Sequence, residues 1–425
     1  MPDISRRKLL ASSLAVAGAA AFPHAPAVAQ GAAPHVVVIG GGFAGATCAR
    51  ALRKADAKLR VTLVEPNKTF IACPFSNSVI AGLRELTLQQ FSYDRVAADG
   101  ITLAVAAATK IDPTARSVTL SAGSPLGYDR LVLAPGIDFR WNAIPGYSEA
   151  AADQLPHAFT GSAQIALLRS QLEAMPDGGV VAVAAPVNPA RCPPAPYERA
   201  SLIAHYVKTK KPKSKVLILD AKDGFTMQRQ FQAAWKELYP DHIEWIGLSA
   251  GGVLASVDGA SKTLNTDFDK YKVDVASVIP PQRAGEIAVT SGVADRTGWC
   301  PIDPVTFESK LQPNVHVIGD AAIAGAMPKS ASAAASEAKL AAAAVAALLS
   351  GKTPAPPTLE STCYSLIAPN YAISIKGRYH VVDGQFMEIE GAGGTSPVTA
   401  DASVRATEAR QADDWYKAIT HEVFG

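Results

Sequence analysis

The sequence predicts an α/β protein: two doubly wound parallel sheets followed by a small C-terminal α+β domain. Three observations predict it. First, the β-branched run His35–Ile39 passes straight into Gly40-Gly41-Gly42-Phe43-Ala44-Gly45, a helix-favouring stretch Ala46–Lys54 and a second strand Arg60–Val64 ending in Glu65. Near-continuous apolar runs of this kind suit parallel strands covered on both faces. Second, another block begins near Gly178, with strands Val180–Ala184 and Lys215–Leu219 flanking a helix-like segment Pro196–Lys208. Third, the proline-containing linker Gly351–Pro357 is followed by strand-like segments and a hairpin signal at Asp383-Gly384. These features divide the chain into a first, discontinuous Rossmann-like domain (30–160 and 285–350), a second Rossmann-like domain (161–284) and a C-terminal domain (351–425).

Residues 1–29 read as an address. Ser5-Arg6-Arg7-Lys8-Leu9-Leu10 precedes a mild apolar run to Phe22 and the small-x-small sequence Ala27-Val28-Ala29. This is the pattern of a twin-arginine signal, and the run from Leu9 is shorter than the roughly 20 residues that span a bilayer. Periplasmic localisation is expected, with no membrane span in the mature chain. Without Asp3, Arg6, Arg7 and Lys8, the 40 basic and 38 acidic groups become 37 of each. Such a balance gives no global case for nucleic acid, which demands a concentrated cationic face.

Along the chain, short β-type pieces occupy Leu103–Leu120, and Tyr128–Gly136 ends another buried strand. Val315–Ile318 runs into Gly319-Asp320, and an alanine-rich helix follows from Ser330 to Leu349. Gly40-x-Gly42-x-x-Gly45 is informative because it sits between strand and helix, with Glu65 closing the next strand 20 residues beyond Gly45. Glycines permit the tight turn and let the amides around Phe43 and Ala44 approach a pyrophosphate, while the carboxylate accepts from a ribose hydroxyl. Gly40, Gly42, Phe43, Ala44, Gly45 and Glu65 are therefore expected to bind a dinucleotide.

The Tyr128–Gly136 and Val315–Asp320 strands resemble the two further fingerprints of glutathione reductase-like flavoproteins with two dinucleotide domains. The resemblance implies FAD, with Gly136, Gly319 and Asp320 at the cofactor and Asp320 near its ribityl chain. Where that group carries a second glycine fingerprint for NAD(P)H, this chain has Ala185-Pro186-Val187-Asn188-Pro189-Ala190-Arg191-Cys192-Pro193-Pro194. Prolines stiffen a loop and remove amide donors, so electrons are not expected to arrive from nicotinamide.

Of five cysteines, Cys48 reads as a small buried side chain and Cys300 more as core than as a redox group. Cys73, Cys192 and Cys363 are different. Together with the twin-arginine signal, Arg191-Cys192-Pro193-Pro194-Ala195-Pro196-Tyr197-Glu198-Arg199, Trp299-Cys300-Pro301, Ser361-Thr362-Cys363-Tyr364-Ser365 and Trp415–Ile419, they make the chain resemble the flavoprotein subunit of flavocytochrome c sulfide dehydrogenase. That resemblance implies three things. Cys73 attaches FAD covalently, Cys192 and Cys363 form a redox disulfide beside the flavin, and a c-type cytochrome subunit accepts the electrons. The haem is expected on the partner, since no C-x-x-C-H motif occurs in the sequence. No metal site is expected.

HS⁻ attacks disulfides by ordinary exchange. Glu198, six residues beyond Cys192, either manages protons or is a helix-start carboxylate favoured by the macrodipole. Trp415 fits a flavin or partner interface and, equally, a buried anchor for the last helix. Sulfide:quinone oxidoreductase is the competing enzyme reading, but Thr407–Gly425 is expected to carry no broad apolar face for membrane contact. A non-catalytic flavin-binding partner protein is the reading from another class.

Overall fold

The computed structural model describes residues 33–425, so the expected signal lies outside the described residues. Val36, Val37 and Val38 are wholly buried because their strand, His35–Ile39, is flanked on both sides within a parallel sheet. The sheet order is Val315–Val317, Arg130–Leu133, His35–Ile39, Arg60–Val64 and Thr102–Ala104, every pairing parallel. The helix Phe43–Ala55 packs on the alanine-rich helix Ala331–Leu349. Small side chains make that approach possible: Ala46, Ala49, Ala338, Ala341 and Ala342 are all buried.

The second parallel sheet runs Ile243–Ile246, Lys215–Asp220, Val180–Ala185 and Val275–Val278. Its helix, Ala195–Lys210, begins directly after Pro193-Pro194 and holds Pro196 in its first turn, where a missing N–H does no harm. The C-terminal segment forms an antiparallel sheet, Thr358–Ala368 against Tyr371–Val382 against Gln385–Glu388. Asp383 and Gly384 close its second hairpin with φ of +48° and +74°, the backbone that a two-residue turn with two left-handed positions requires.

The final helix, Ala402–Phe424, overturns one expectation. It carries a continuous apolar face, with Ala409, Ala412, Tyr416, Ile419, Val423 and Phe424 buried at helical spacing. Counting the charges of Thr407–Gly425 hides this phase relationship. The face is consumed inside the molecule: the Phe424 ring lies 5.0 Å from that of Phe70, 5.4 Å from Phe91 and 6.0 Å from Phe43. Its burial therefore says nothing about the electron acceptor. Among the described residues one helix, Ala331–Leu349, is long and apolar enough by length and composition to cross a membrane, and half of its apolar window is buried.

Candidate functional site

A cavity of about 950 Å³ runs along the carboxyl ends of the first sheet and reaches the helix Ala195–Lys210 and the C-terminal sheet. Its near end is built by the glycine turn. Gly40 adopts φ +97°, and a Cβ there would lie 2.2 Å from the carbonyl oxygen of Ala134. The helix Phe43–Ala55 starts at Gly42 with no side-chain cap and no acidic residue in its first turn, leaving its N–H groups and partial positive charge to the cavity. Glu65 sits at the rim, where its Oε2 accepts from the Gly41 N–H at 2.9 Å and Oε1 from Asn67.

Gly40, Gly42, Phe43, Ala44, Glu65, Cys73, Gly136, Gly319, Asp320, Cys192, Cys363 and Glu198 all line this cavity, as does Trp415. Gly45 does not. A Cβ on it would lie 1.8 Å from the carbonyl oxygen of Gly40, so it serves helix–strand contact rather than cofactor contact. Cys48 and Cys300 are fully buried in the core, and burial pushes both thiols up to about 12.

The residues present fit FAD. Asp320 Oδ1 is buried without a hydrogen-bond partner, an acceptor left over for a ligand hydroxyl such as those of a ribityl chain. Its carboxyl is held above its ordinary range by burial, opposed by the charges of Arg191 and Lys329. Cys73 follows the short strand Thr69–Ile71 and faces the same space.

Three chain segments bring the sulfurs together. Cys192 stands just before the Ala195–Lys210 helix with φ +49°, a left-handed backbone rarely held by a non-glycine residue. Its N–H donates to Lys329 O at 2.7 Å and its carbonyl accepts from Ala195 N at 2.9 Å. Cys363 lies on the Thr358–Ala368 strand opposite Ile375. Both are free thiols here. Burial pushes the Cys192 thiol well up, and the neighbouring Cys363, Glu198 and Cys73 push in the same direction. Burial also raises Cys363, but the Ser330 and Ser361 hydroxyls hydrogen-bond it and pull the other way.

Glu198 ties these segments to one another. Its Oε1 accepts from the Leu366 N–H at 2.9 Å and its Oε2 from Asn77 Nδ2 at 2.8 Å. Burial lifts the carboxyl to about 6, against those two hydrogen bonds and the charge of Arg199. Arg199, 1% exposed, is satisfied by Asn77 Oδ1, the carbonyls of His157 and Ala158, and Ser277 Oγ. Asn77, Arg199, Ser330 and Ser361 are site residues that the sequence did not single out for a role. Arg199 and Ser361 stood inside quoted motifs, and Ser330 opened the quoted alanine-rich helix, without a role of their own.

The fold and this cavity define a flavoprotein of the pyridine nucleotide-disulphide oxidoreductase type, whose family model matches residues 34–174. The model for the central part of the sulfide dehydrogenase [flavocytochrome c] flavoprotein chain matches residues 165–280, and that for the flavocytochrome c sulphide dehydrogenase flavin-binding region matches 355–424. The flavocytochrome c sulfide dehydrogenase flavoprotein chain of Chlorobaculum thiosulfatiphilum is 61% identical over 44 residues, 10% of this chain and 92% of that sequence. The chain belongs to the flavocytochrome c sulfide dehydrogenase flavoprotein family. Mitochondrial sulfide:quinone oxidoreductase of Mus musculus is 24% identical over 67% of this chain, a match that spans 65% of the mouse sequence. In fold the chain is similar to the sulfide:quinone oxidoreductase of Aquifex aeolicus, with TM-score 0.72, 16% identity and 92% of each chain covered.

Proposed function

We propose that this protein oxidises sulfide in the periplasm through a Cys192–Cys363 disulfide and passes the electrons by way of FAD, bound covalently through Cys73, to a c-type cytochrome subunit. The observation that carries the reading is the convergence of Cys192, Cys363 and Glu198 on the cavity lined by Gly40, Gly42 and Asp320. Bound FAD takes up an electron pair and can release it one electron at a time.

The protein groups divide the sulfur chemistry between them. HS⁻ attacks Sγ of Cys192, the S–S bond breaks, and Cys192 carries a persulfide. Cys363 is the leaving sulfur: burial raises both thiols, but Cys363, Glu198 and Cys73 drive that of Cys192 well up against the charge of Arg191, while the Ser330 and Ser361 hydroxyls favour the Cys363 thiolate. A leaving thiol of lower pKa departs faster. A second HS⁻ takes the outer sulfur, releasing H2S2, and Glu198, poised near 6, accepts the proton as HSS⁻ forms. Loss of an electron pair from the two cysteine sulfurs re-closes the disulfide. Two HS⁻ thus give one HSS⁻, one proton and two electrons.

Membrane quinone is the second reading for the acceptor, favoured by the similarity to sulfide:quinone oxidoreductases in sequence and fold. The FAD-loaded protein is to be reduced with sulfide and offered cytochrome c or a soluble quinone in separate assays. Faster turnover with cytochrome c supports the proposal, and faster turnover with quinone replaces it. Cys192→Ser and Cys363→Ser are expected to stop turnover with either acceptor while flavin stays bound. Full activity in both variants refutes the disulfide mechanism.

A further inference from the structure

The chain builds the strand–loop–helix–strand unit twice, and the two copies treat one carboxylate in opposite ways. In the first copy Glu65 follows the Arg60–Val64 strand and opens onto the cavity. In the second, the Val180–Ala185 strand, a proline-rich loop and the Ala195–Lys210 helix lead to the Lys215–Asp220 strand. Asp220 thus stands where Glu65 stands in the first copy. In dinucleotide folds this acid faces a ribose hydroxyl.

Asp220 is fully buried, and the chain itself occupies both of its oxygens. Oδ2 accepts from the Tyr197 hydroxyl at 2.6 Å and from Trp245 Nε1 at 3.0 Å. Oδ1 accepts from Lys222 Nζ at 2.7 Å and from the Lys222 N–H at 3.2 Å. The same ammonium donates to the carbonyl of Pro186 at 2.7 Å, the residue that opens the loop leading to Cys192. Tyr197 is wholly buried and its ring stacks on Phe225 with centroids 3.7 Å apart. Its neighbour in sequence is Glu198, and Cys192 lies five residues before it.

We propose that the ribose seat of the second unit has become a clamp on the redox loop, with Tyr197, Asp220 and Lys222 as positioning residues for Cys192 and Glu198. The clamp grips the segment at both ends. Lys222 fixes the loop at Pro186, and Tyr197 fixes the first turn of the helix. Between these two points Cys192 holds its left-handed backbone, a conformation that persists only when its surroundings determine it. None of the three clamp residues lines the cavity, so their effect reaches the chemistry through placement alone.

The role in turnover rests on the proposed sulfide chemistry; the geometry of the loop does not. The test uses the FAD-loaded protein and two variants, Tyr197→Phe and Lys222→Met. After reduction of the cysteines, the rate of Cys192 alkylation by iodoacetamide is followed against pH by peptide mass spectrometry, and sulfide turnover is measured alongside. Each variant is expected to shift the alkylation midpoint by about one pH unit and to lower kcat about tenfold, the scale of one hydrogen bond to a buried carboxylate, with KM nearly unchanged. Wild-type alkylation profiles in both variants overturn the clamp, whatever happens to kcat. A shifted profile in a protein that does not oxidise sulfide supports the clamp and sinks the sulfide reading instead. Should Tyr197→Phe fail to fold, Lys222→Met decides the matter, since its ammonium sits at the edge of the seat.

Discussion

Replacing Glu198 by Gln separates proton handling from scaffolding. In the wild-type protein the carboxylate accepts from two donors, Leu366 N–H and Asn77 Nδ2. A glutamine carbonyl can serve one of them, and its NH2 meets the other donor, which leaves a buried group unsatisfied at about 1–3 kcal/mol. Burial works in the opposite direction. Because folding raises this carboxyl from 4.5 to about 6, its contribution to stability is full below pH 4.5 and is lost as pH rises through 6, a change of about 2 kcal/mol. Gln carries no such dependence, so near pH 7 the loss of one hydrogen bond and the relief of a buried charge largely offset each other. Stability at neutral pH should change by less than about 2 kcal/mol, whereas turnover should fall about 100-fold, the low end of what a positioned proton acceptor supplies. Stopped-flow reduction of the bound flavin by sulfide from pH 5 to 8, with urea unfolding at the same pH values, reads both quantities. With rates referred to the concentration of HS⁻, the wild-type rate should decline on the acid side of about pH 6, and the Glu198→Gln variant should lack that limb. An unchanged limb in the variant, or unchanged turnover, refutes the assignment.

Further outcomes follow from other parts of the structure. If the flavin is bound through Cys73 as proposed, the wild-type flavin should stay with the polypeptide on denaturation, whereas Cys73→Ser should let FAD leave, read as free flavin in the filtrate. Phe424→Ala removes the ring shared by Phe43, Phe70 and Phe91 and should destabilise the protein by about 3–5 kcal/mol in chemical unfolding. Gly45→Ala drives a methyl group into the carbonyl of Gly40 and should abolish flavin retention, measured by the flavin-to-protein absorbance ratio, even though Gly45 does not touch the cavity.

The near end of the site was legible because its chemistry is local. A glycine turn needs its glycines within six residues, and the helix and Glu65 follow at fixed offsets. Cys192 and Cys363 were paired only through the family resemblance, because their proximity depends on a sheet and a helix that sequence spacing does not encode. Asn77 and Arg199 were hidden for the same reason. Asn77 sits on the short helix Ser76–Ile80, far along the chain from its partners Glu198 and Arg199, and no pattern marks it. Gly45 was legible as a glycine that must be glycine, but not which neighbour requires it. The apolar face of the Ala402–Phe424 helix is present in the sequence, yet a count of its charges conceals it, because such a count ignores their angular position.

Cys192 and Cys363 must act as one redox unit if sulfide is oxidised as proposed. Peptide mass spectrometry of the oxidised protein, digested without reductant after blocking free thiols, addresses this most directly. The predicted result is a single cross-link joining the Cys192 and Cys363 peptides, with Cys48 and Cys300 recovered as blocked thiols. Recovery of Cys192 and Cys363 as separately blocked thiols, or either one joined to a different cysteine, contradicts the claim.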